Sequence, residues 1–402
     1  MGQITISRQD ILDARRAGSA YVKHTPVTES SALEALCGGN IVVKAESLQR
    51  TGSFKIRGAL NKLATLGDRA RAGVVAGSAG NHAGALAFAA QKNGVPCEIF
   101  VPAGASLSKI AACRAYGATI SEGGDSLDNA VARALDRANE TGMAFCHPYD
   151  DPAVVAGQAT LGLELLEDIH NLRLVIIPLG GGGLAGGTAI ALKQHDPSIK
   201  VVGVQVRACA PYANAPAPDG PVVTLADGIA VKRPGVITRP IIEEWLDDIV
   251  VVEEDDVADA MMLLMERGKL LVEGAGAVGA SALMRALVRP APDGTTCVVV
   301  SGGNVDMGLI PGLIRRHETQ SGRRLIVFVR ISDRPGGLAQ LLALFAGQGA
   351  NIVEVEHVRE GVDLHVRETG VQVVLETRGP EHADEVMANV RAAGYEITEL
   401  NR

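Results

Sequence analysis

Aromatic side chains are scarce in this 402-residue chain: phenylalanine, tyrosine and tryptophan together make up 3%, with a single tryptophan. That leaves little for stacking on nucleic-acid bases. Positive charge is not in excess either. The 38 lysines and arginines against 46 aspartates and glutamates give a formal net charge of -8, so the electrostatic footprint for nucleic acid or an anionic membrane is missing. The six cysteines (Cys37, Cys97, Cys113, Cys146, Cys209, Cys297) form no CxxC pair and no cluster with histidine at metal-ligand spacing. Buried thiols in a reducing cytoplasm fit that scatter, and no metal is assigned. Residues 174–192 carry no charge, but Pro178 and six glycines interrupt them, so a strand, a loop and a helix fit better than a membrane-spanning helix. Residues 1–10 hold Gln3, Ser7 and Arg8 and no apolar core, so no secretory signal is expected. The partner these absences leave is a small molecule.

What is abundant is glycine. The 47 glycines are about 12% of the chain, against about 7% on average. They follow no G-X-Y period and accompany 47% hydrophobic residues, so collagen and disordered low-complexity chains are excluded. The length suggests two or three domains. From residue 73 to 301 short apolar runs, glycine or proline turns and helical stretches alternate, the mark of parallel α/β layers. Candidate strands are 74–76, 98–101, 118–121, 174–177, 201–206 and 296–300, β-branched on both faces and therefore covered on both. Candidate helices are 83–92, 108–116, 126–139, 154–169 and 256–268. The proline-rich stretch 208–221 reads as a surface loop. Beyond Asn304 the character changes: 314–324, with four arginines, reads as a linker. The remainder reads strand 325–330, helix 337–349, strands 352–358 and 371–377, helix 380–393 and strand 396–400. That βαββαβ order is the ferredoxin-like split motif.

Two segments fit G-x-G-x-x-G: Gly181, Gly183 and Gly186, and Gly274, Gly276 and Gly279. A dinucleotide fingerprint needs an acidic residue at the end of the next strand. Gln205 and Arg207 stand there for the first, and for the second Asp293 falls in a loop, so a nicotinamide site is not favoured. The first segment is richer than its pattern. Gly180, Gly181, Gly182 and Gly183 follow the strand 174–177 and lead into Leu184 in helical register, exposing N–H groups at the positive end of a helix dipole. That arrangement holds a phosphate without a lysine. Ser53 reads as the N-cap of a helix whose first turn contains Lys55; a cation there opposes the dipole, which lowers its pKa and frees amine for Schiff-base chemistry. Alone, such a lysine is more often a solvated surface charge. Gly77 to Gly84 follow the strand 74–76, and the small residues around Asn81 suit a carboxylate, with Asn81 able to meet an aromatic oxygen. Read blandly, Asn81 is an N-cap and His82 a packed histidine.

Taken together, Ser53-Phe54-Lys55-Ile56-Arg57-Gly58-Ala59, Ser78-Ala79-Gly80-Asn81-His82, Gly180-Gly181-Gly182-Gly183-Leu184 and Ser301-Gly302-Gly303-Asn304 resemble, in that order, the pyridoxal-phosphate-dependent threonine/serine dehydratase family. Leu225 to Val231 and Glu273 to Ala277 add to the likeness, which spans about residues 7–316. Asp333-Arg334-Pro335-Gly336-Gly337-Leu338 resembles an ACT regulatory domain. The resemblance implies a two-domain α/β lyase of the tryptophan-synthase-β-like type (fold type II). Its catalytic region is 1–316, with a small mobile subdomain about 54–149; a linker 317–324 and an ACT-like βαββαβ domain 325–402 follow. It implies that Lys55 binds the cofactor covalently and then serves as base, with Phe54 also in the cofactor site. Gly180, Gly181, Gly182, Gly183 and Leu184 hold the phosphate, Asn81 meets the 3-hydroxyl and Ser301 the pyridine nitrogen. Ser78, Ala79, Gly80, Asn81 and His82 take the substrate carboxylate.

The expected activity is threonine ammonia-lyase, L-threonine to 2-oxobutanoate and ammonia, with L-serine as a lesser substrate. A serine hydroxyl at the pyridine nitrogen makes a weaker electron sink than an aspartate, favouring elimination of a β-hydroxyl over transamination. Where related racemases place a serine as second base, this chain has Ala79, so elimination is favoured over racemisation. Relatives with a divalent-cation site carry an acidic residue where this chain has Arg207. A serine or 3-hydroxyaspartate dehydratase of the same family and a non-catalytic amino-acid sensor are the alternatives. A cytoplasmic homo-oligomer with an amino-acid effector at the tail completes the expectation.

Overall fold

The structure, a computed structural model, describes residues 5–214, 220–359 and 364–400. Its compact units divide between Asp306 and Met307. In the first unit, one sheet has six strands in the order Val27–Glu29, Asn40–Ala45, Thr295–Val300, Leu172–Pro178, Lys200–Val206 and Asp248–Val252. All its pairs are parallel except the first. A second, parallel sheet orders Thr119–Glu122, Cys97–Val101, Val74–Gly77 and Ala144–Phe145. Its strands and their connecting helices, Asn81–Asn93, Leu107–Ala115 and Leu127–Thr141, fall inside the expected subdomain 54–149. The strands Val74–Gly77, Cys97–Val101 and Thr295–Val300 are buried at every position, which is why they read as continuous apolar runs rather than alternating ones.

Local chemistry sets the helix ends. Asp151 caps Pro152–Asp168 by accepting from the Ala153 and Val154 N–H groups, with Pro152 at the first position where its missing N–H is harmless. The strands Asn40–Ala45 and Asp248–Val252 are not anticipated from the sequence, although both contain apolar runs; they extend the large sheet on either side. Gly274–Met284, the second glycine pattern, is a helix buried from Gly274 to Leu283. Its glycines serve close packing: a Cβ on Gly276 would stand 2.8 Å from the Gly302 carbonyl oxygen.

Arginine and lysine are placed inside this unit as well. Arg57, 2% exposed, pairs with Glu46 at 2.8 Å and Glu164 at 2.7 Å, and Lys44, fully buried, stands 3.0 Å from Asp168. The Glu46 and Glu164 carboxylates raise the Arg57 guanidinium above its ordinary range, against the opposing effect of burial, and Arg57 in turn draws Glu164 down. The helices Lys55–Leu66 and Pro152–Asp168 meet here backbone to backbone, since a Cβ on Gly157 would lie 2.6 Å from the Arg57 carbonyl oxygen. Charge pairing and glycine contact together hold the helix that starts with Lys55.

The second unit has the strands Arg324–Ser332, Asn351–Val358, Glu368–Glu376 and Glu396–Glu399 and the helices Gly337–Gly347 and Pro380–Ala392. Its sheet is antiparallel with Asn351–Val358 and Glu396–Glu399 on the edges, the arrangement expected of a βαββαβ split motif. Val327, Val329, Leu341, Phe345, Val371 and Val386 form its core. The expected linker 317–324 is different in the structure: 317–320 end the helix Ile310–Gln320 and Arg324 opens the first strand. The arginines disguise a one-sided helix whose Leu313 is buried. Among the described residues no helix is long and apolar enough to cross a membrane.

Removing one partner from the buried ion network strands the others, which costs about 3–5 kcal/mol. Arg57→Ala is therefore expected to lower the first unit's stability by that amount in urea denaturation. A change below about 1 kcal/mol, the scale of an exposed ion pair, would show that the network does not hold the helix.

Candidate active site

The three small-residue loops picked from the sequence lie at the carboxyl ends of parallel strands, where α/β sheets bind ligands. Residues 78–80 follow Val74–Gly77, 179–182 follow Leu172–Pro178, and Ser301 to Asn304 follow Thr295–Val300. The last of these is stitched to the lysine segment. The Phe54 N–H donates to the Ser301 carbonyl at 3.1 Å, the Gly303 N–H donates to the Gly52 carbonyl at 2.8 Å, and Ser53 bridges Gly302. This pairing displaces the expected cap: Phe54, not Ser53, is the N-cap of Lys55–Leu66, and it makes no side-chain bond. The Ser53 hydroxyl is buried and has no hydrogen-bond partner among the described residues.

Lys55 is the first residue of that helix. Its Nζ donates to the Pro148 carbonyl oxygen at 2.9 Å and lies 5.1 Å from the Phe54 ring centroid. Burial draws its pKa down from 10.5 to about 8, more strongly than the nearby Glu273 charge raises it. Asn81 opens the helix Asn81–Asn93 and stands in a chain of amides: the Asn304 Nδ2 donates to the Asn81 Oδ1 at 2.8 Å, and the Asn81 Nδ2 donates to the Glu273 Oε1 at 2.7 Å. Glu273 is 4% exposed. Burial and the neighbouring Asp227 push its carboxyl up to about 7, while the Asn81 bond works the other way. In the sequence Glu273 has a place in a motif but no role; only the fold brings it to Asn81, far away in the chain.

The glycine loop meets this group through residues 147–151. A Cβ on Gly181 would lie 2.2 Å from the Tyr149 ring, so that ring packs directly on the glycine backbone. Gly182 has φ +91°, which a side chain rarely tolerates. Gly180 to Leu184 are all buried. Among the described residues no acceptor meets the N–H groups of Gly181, Gly182, Gly183 and Leu184 at the start of the helix Gly183–Lys193. Buried N–H groups at a helix N-terminus are fitted to an anion.

Phe54 is thus hydrogen-bonded to Ser301, Asn81 is held by Asn304 and by Glu273, whose charge also acts on Lys55, and the glycine loop reaches Lys55 through Pro148 and Tyr149. In the remaining loop, Ser78 is buried and its hydroxyl accepts from the Gly80 N–H at 3.3 Å, while Ala79 and Gly80 are partly exposed. His82 turns elsewhere: its Nε2 donates to the Cys146 carbonyl at 2.9 Å, and burial pushes its pKa down to about 3. The imidazole is neutral and already engaged, so toward a carboxylate His82 offers its backbone N–H. His24, Glu164 and Asp168 bring possible ligand atoms within 4.8 Å of one another, but Lys44 places its ammonium against that group. Arg207 pairs with Glu253 at 3.0 Å.

A family model described as pyridoxal-phosphate dependent enzyme matches residues 19–302. An L-threonine ammonia-lyase from Thermotoga maritima is 41% identical over 98% of this chain and 99% of its own length. Among solved structures, a threonine deaminase from T.th. matches with a TM-score of 0.70 at 38% identity, covering 75% of this chain and 99% of that one. Maize serine racemase matches with a TM-score of 0.73 at 31% identity over 79% and 99%.

If burial sets the lysine's acidity, modification of Lys55 in the cofactor-free chain by a small amine-reactive reagent rises with pH around a midpoint of about 8. Peptide mass spectrometry at a series of pH values reads this directly. A midpoint at the ordinary lysine value of 10.5 would contradict it.

Proposed function

The chain belongs to the family of pyridoxal-phosphate dependent enzymes, and on that premise we propose that it is a threonine ammonia-lyase, converting L-threonine to 2-oxobutanoate and ammonia. The observation that carries this is the partly buried Lys55 amine, drawn to about 8 and linked through Pro148 and Tyr149 to an anion cradle. The near full-length likeness to a threonine ammonia-lyase supports the substrate.

The residues present fit the cofactor. The unmet N–H groups of Gly181, Gly182, Gly183 and Leu184, with Gly180, would hold its phosphate. Asn81 can donate to or accept from its ring hydroxyl, and Ser301, 2% exposed at a strand end, would meet the ring nitrogen through a neutral hydroxyl. Phe54 would stand beside Lys55 in the same site. When bound, the cofactor supplies an electron sink for the pair released at the substrate α-carbon.

The chain's own residues do the rest. Lys55, whose amine is partly free near neutrality, takes the α-proton. The N–H groups of Asn81 and His82, with no acceptor among the described residues, face the substrate carboxylate together with the backbone of Ser78, Ala79 and Gly80. Ala79 has no proton to give or take, so protonation from a second face is not provided and the β-hydroxyl is expelled instead. The C–H and C–O bonds broken yield an enamine and water; the enamine becomes an imine, and a water molecule converts that to the 2-oxo acid and ammonia.

We further infer that the second unit is an ACT-like regulatory domain that takes an amino-acid effector. The turn after the strand Arg324–Ser332 supports it, with Gly336 at φ +90° starting the helix Gly337–Gly347 and Asp333 paired with Arg359. A reducing, cytoplasmic setting is in keeping with the six free cysteines.

Lys55→Ala is expected to lower ammonia and 2-oxobutanoate release from L-threonine by at least about a thousandfold, the scale of losing a general base and covalent anchor. Turnover within about tenfold of the wild type would sink the assignment. Initial rates on threonine, serine and 3-hydroxyaspartate are expected to rank threonine first. A higher kcat/KM for either of the others would move the substrate.

A further inference from the structure

The carbonyl of Gly181 is held from outside the cradle. The Thr238 Oγ1 donates to it at 2.7 Å, and the Tyr212 hydroxyl lies 3.3 Å from the same oxygen and 3.3 Å from the Thr238 hydroxyl. Thr238 is fully buried and begins the helix Thr238–Trp245. Its own position is set by Asp150. One carboxylate oxygen of Asp150 accepts from the Ile237 N–H at 2.8 Å and the Thr238 N–H at 3.0 Å, and the other accepts from the Val236 N–H at 2.9 Å. A Cβ on Gly235 would lie 2.1 Å from Asp150 Oδ1, so the turn closes directly over the carboxylate. Asp150 is placed in turn by His147, whose Nδ1 accepts from the Asp150 N–H at 2.8 Å.

In a planar trans peptide the C=O of Gly181 and the N–H of Gly182 point to opposite sides. Bonding the carbonyl outward to Thr238 therefore aims the next N–H inward. Between two glycines that plane is weakly constrained by sterics. Were it to turn over, the cradle would offer an anion a carbonyl oxygen in place of a donor. Asp150 itself carries a negative charge into the neighbourhood of an anion site, and its three backbone donors occupy that charge.

We propose that Thr238, fixed by Asp150, is a positioning residue for cofactor binding: its hydroxyl locks the Gly181–Gly182 peptide so that the Gly182 N–H faces the cofactor phosphate. The proposal rests on the reading of Gly180 to Leu184 as the phosphate cradle. Thr238 touches neither substrate nor cofactor and acts through the loop.

The test titrates cofactor-free wild type, Thr238→Val and Thr238→Ser with pyridoxal phosphate and, separately, with pyridoxal, which has the same ring and aldehyde but no phosphate. Loss of one hydrogen bond is expected to weaken pyridoxal phosphate binding to Thr238→Val about tenfold. Pyridoxal binding stays unchanged, and Thr238→Ser restores wild-type affinity. If Thr238→Val does not fold, Thr238→Ala takes its place in the same comparison. Wild-type affinity for pyridoxal phosphate in the hydroxyl-free variant, or an equal loss for both ligands, would overturn the proposal. A wild-type chain that binds pyridoxal phosphate no better than pyridoxal would overturn the cradle reading itself.

Discussion

For the base role proposed for Lys55, a lysine amine has to be drawn out of water without being handed a carboxylate to pair with. Lys55 meets that constraint by donating to a neutral backbone carbonyl, Pro148, while the acids around it are engaged elsewhere. Glu46 and Glu164 are taken by Arg57, Asp151 by Lys62, and Glu273 by Asn81. Burial raises the Glu273 carboxyl to about 7, so this acid, whose charge acts on Lys55, is only partly ionised near neutrality and attracts the ammonium less than a full charge would. Position at the first turn of a helix adds a like-signed dipole. The buried ion network, costly to desolvate, is the counterpart of the free amine: it fixes the helix that carries Lys55.

Glycine does two separate jobs around that lysine. In the loop 180–183 it leaves buried backbone N–H groups without an acceptor among the described residues and lets Gly182 take a positive φ. At Gly157 and Gly276 it lets helices lie against backbone. Both jobs enrich the composition in the same way, which is why the pattern around Gly274, Gly276 and Gly279 imitates a nucleotide fingerprint while building a buried helix.

What is legible in the sequence is local. The loops at Gly80, Gly180 and Ser301 announce themselves because several small residues clustered at a strand end seldom serve packing alone, and the alternation of strands and helices follows from apolar runs. What stays hidden is carried by single polar residues. Glu273, Asp150 and Thr238 show no role until the fold brings partners from remote parts of the chain to them. Arg57 stands inside a recognisable motif, yet nothing local tells a buried ion pair from a solvated charge. The helix Ile310–Gln320 reads in part as a linker because its arginines outweigh its one buried leucine. The Ser53 cap is lost to a backbone pairing with Gly302 that no local rule contains.

The proposed chemistry turns on Lys55 being the residue joined to the cofactor. Reduction of the pyridoxal-phosphate-loaded protein with borohydride, followed by peptide mass spectrometry, measures this. The expected result is a pyridoxyl group on Lys55 at close to one per chain. A group on Lys44, Lys62 or Lys109 instead, or spread over surface lysines, would contradict it.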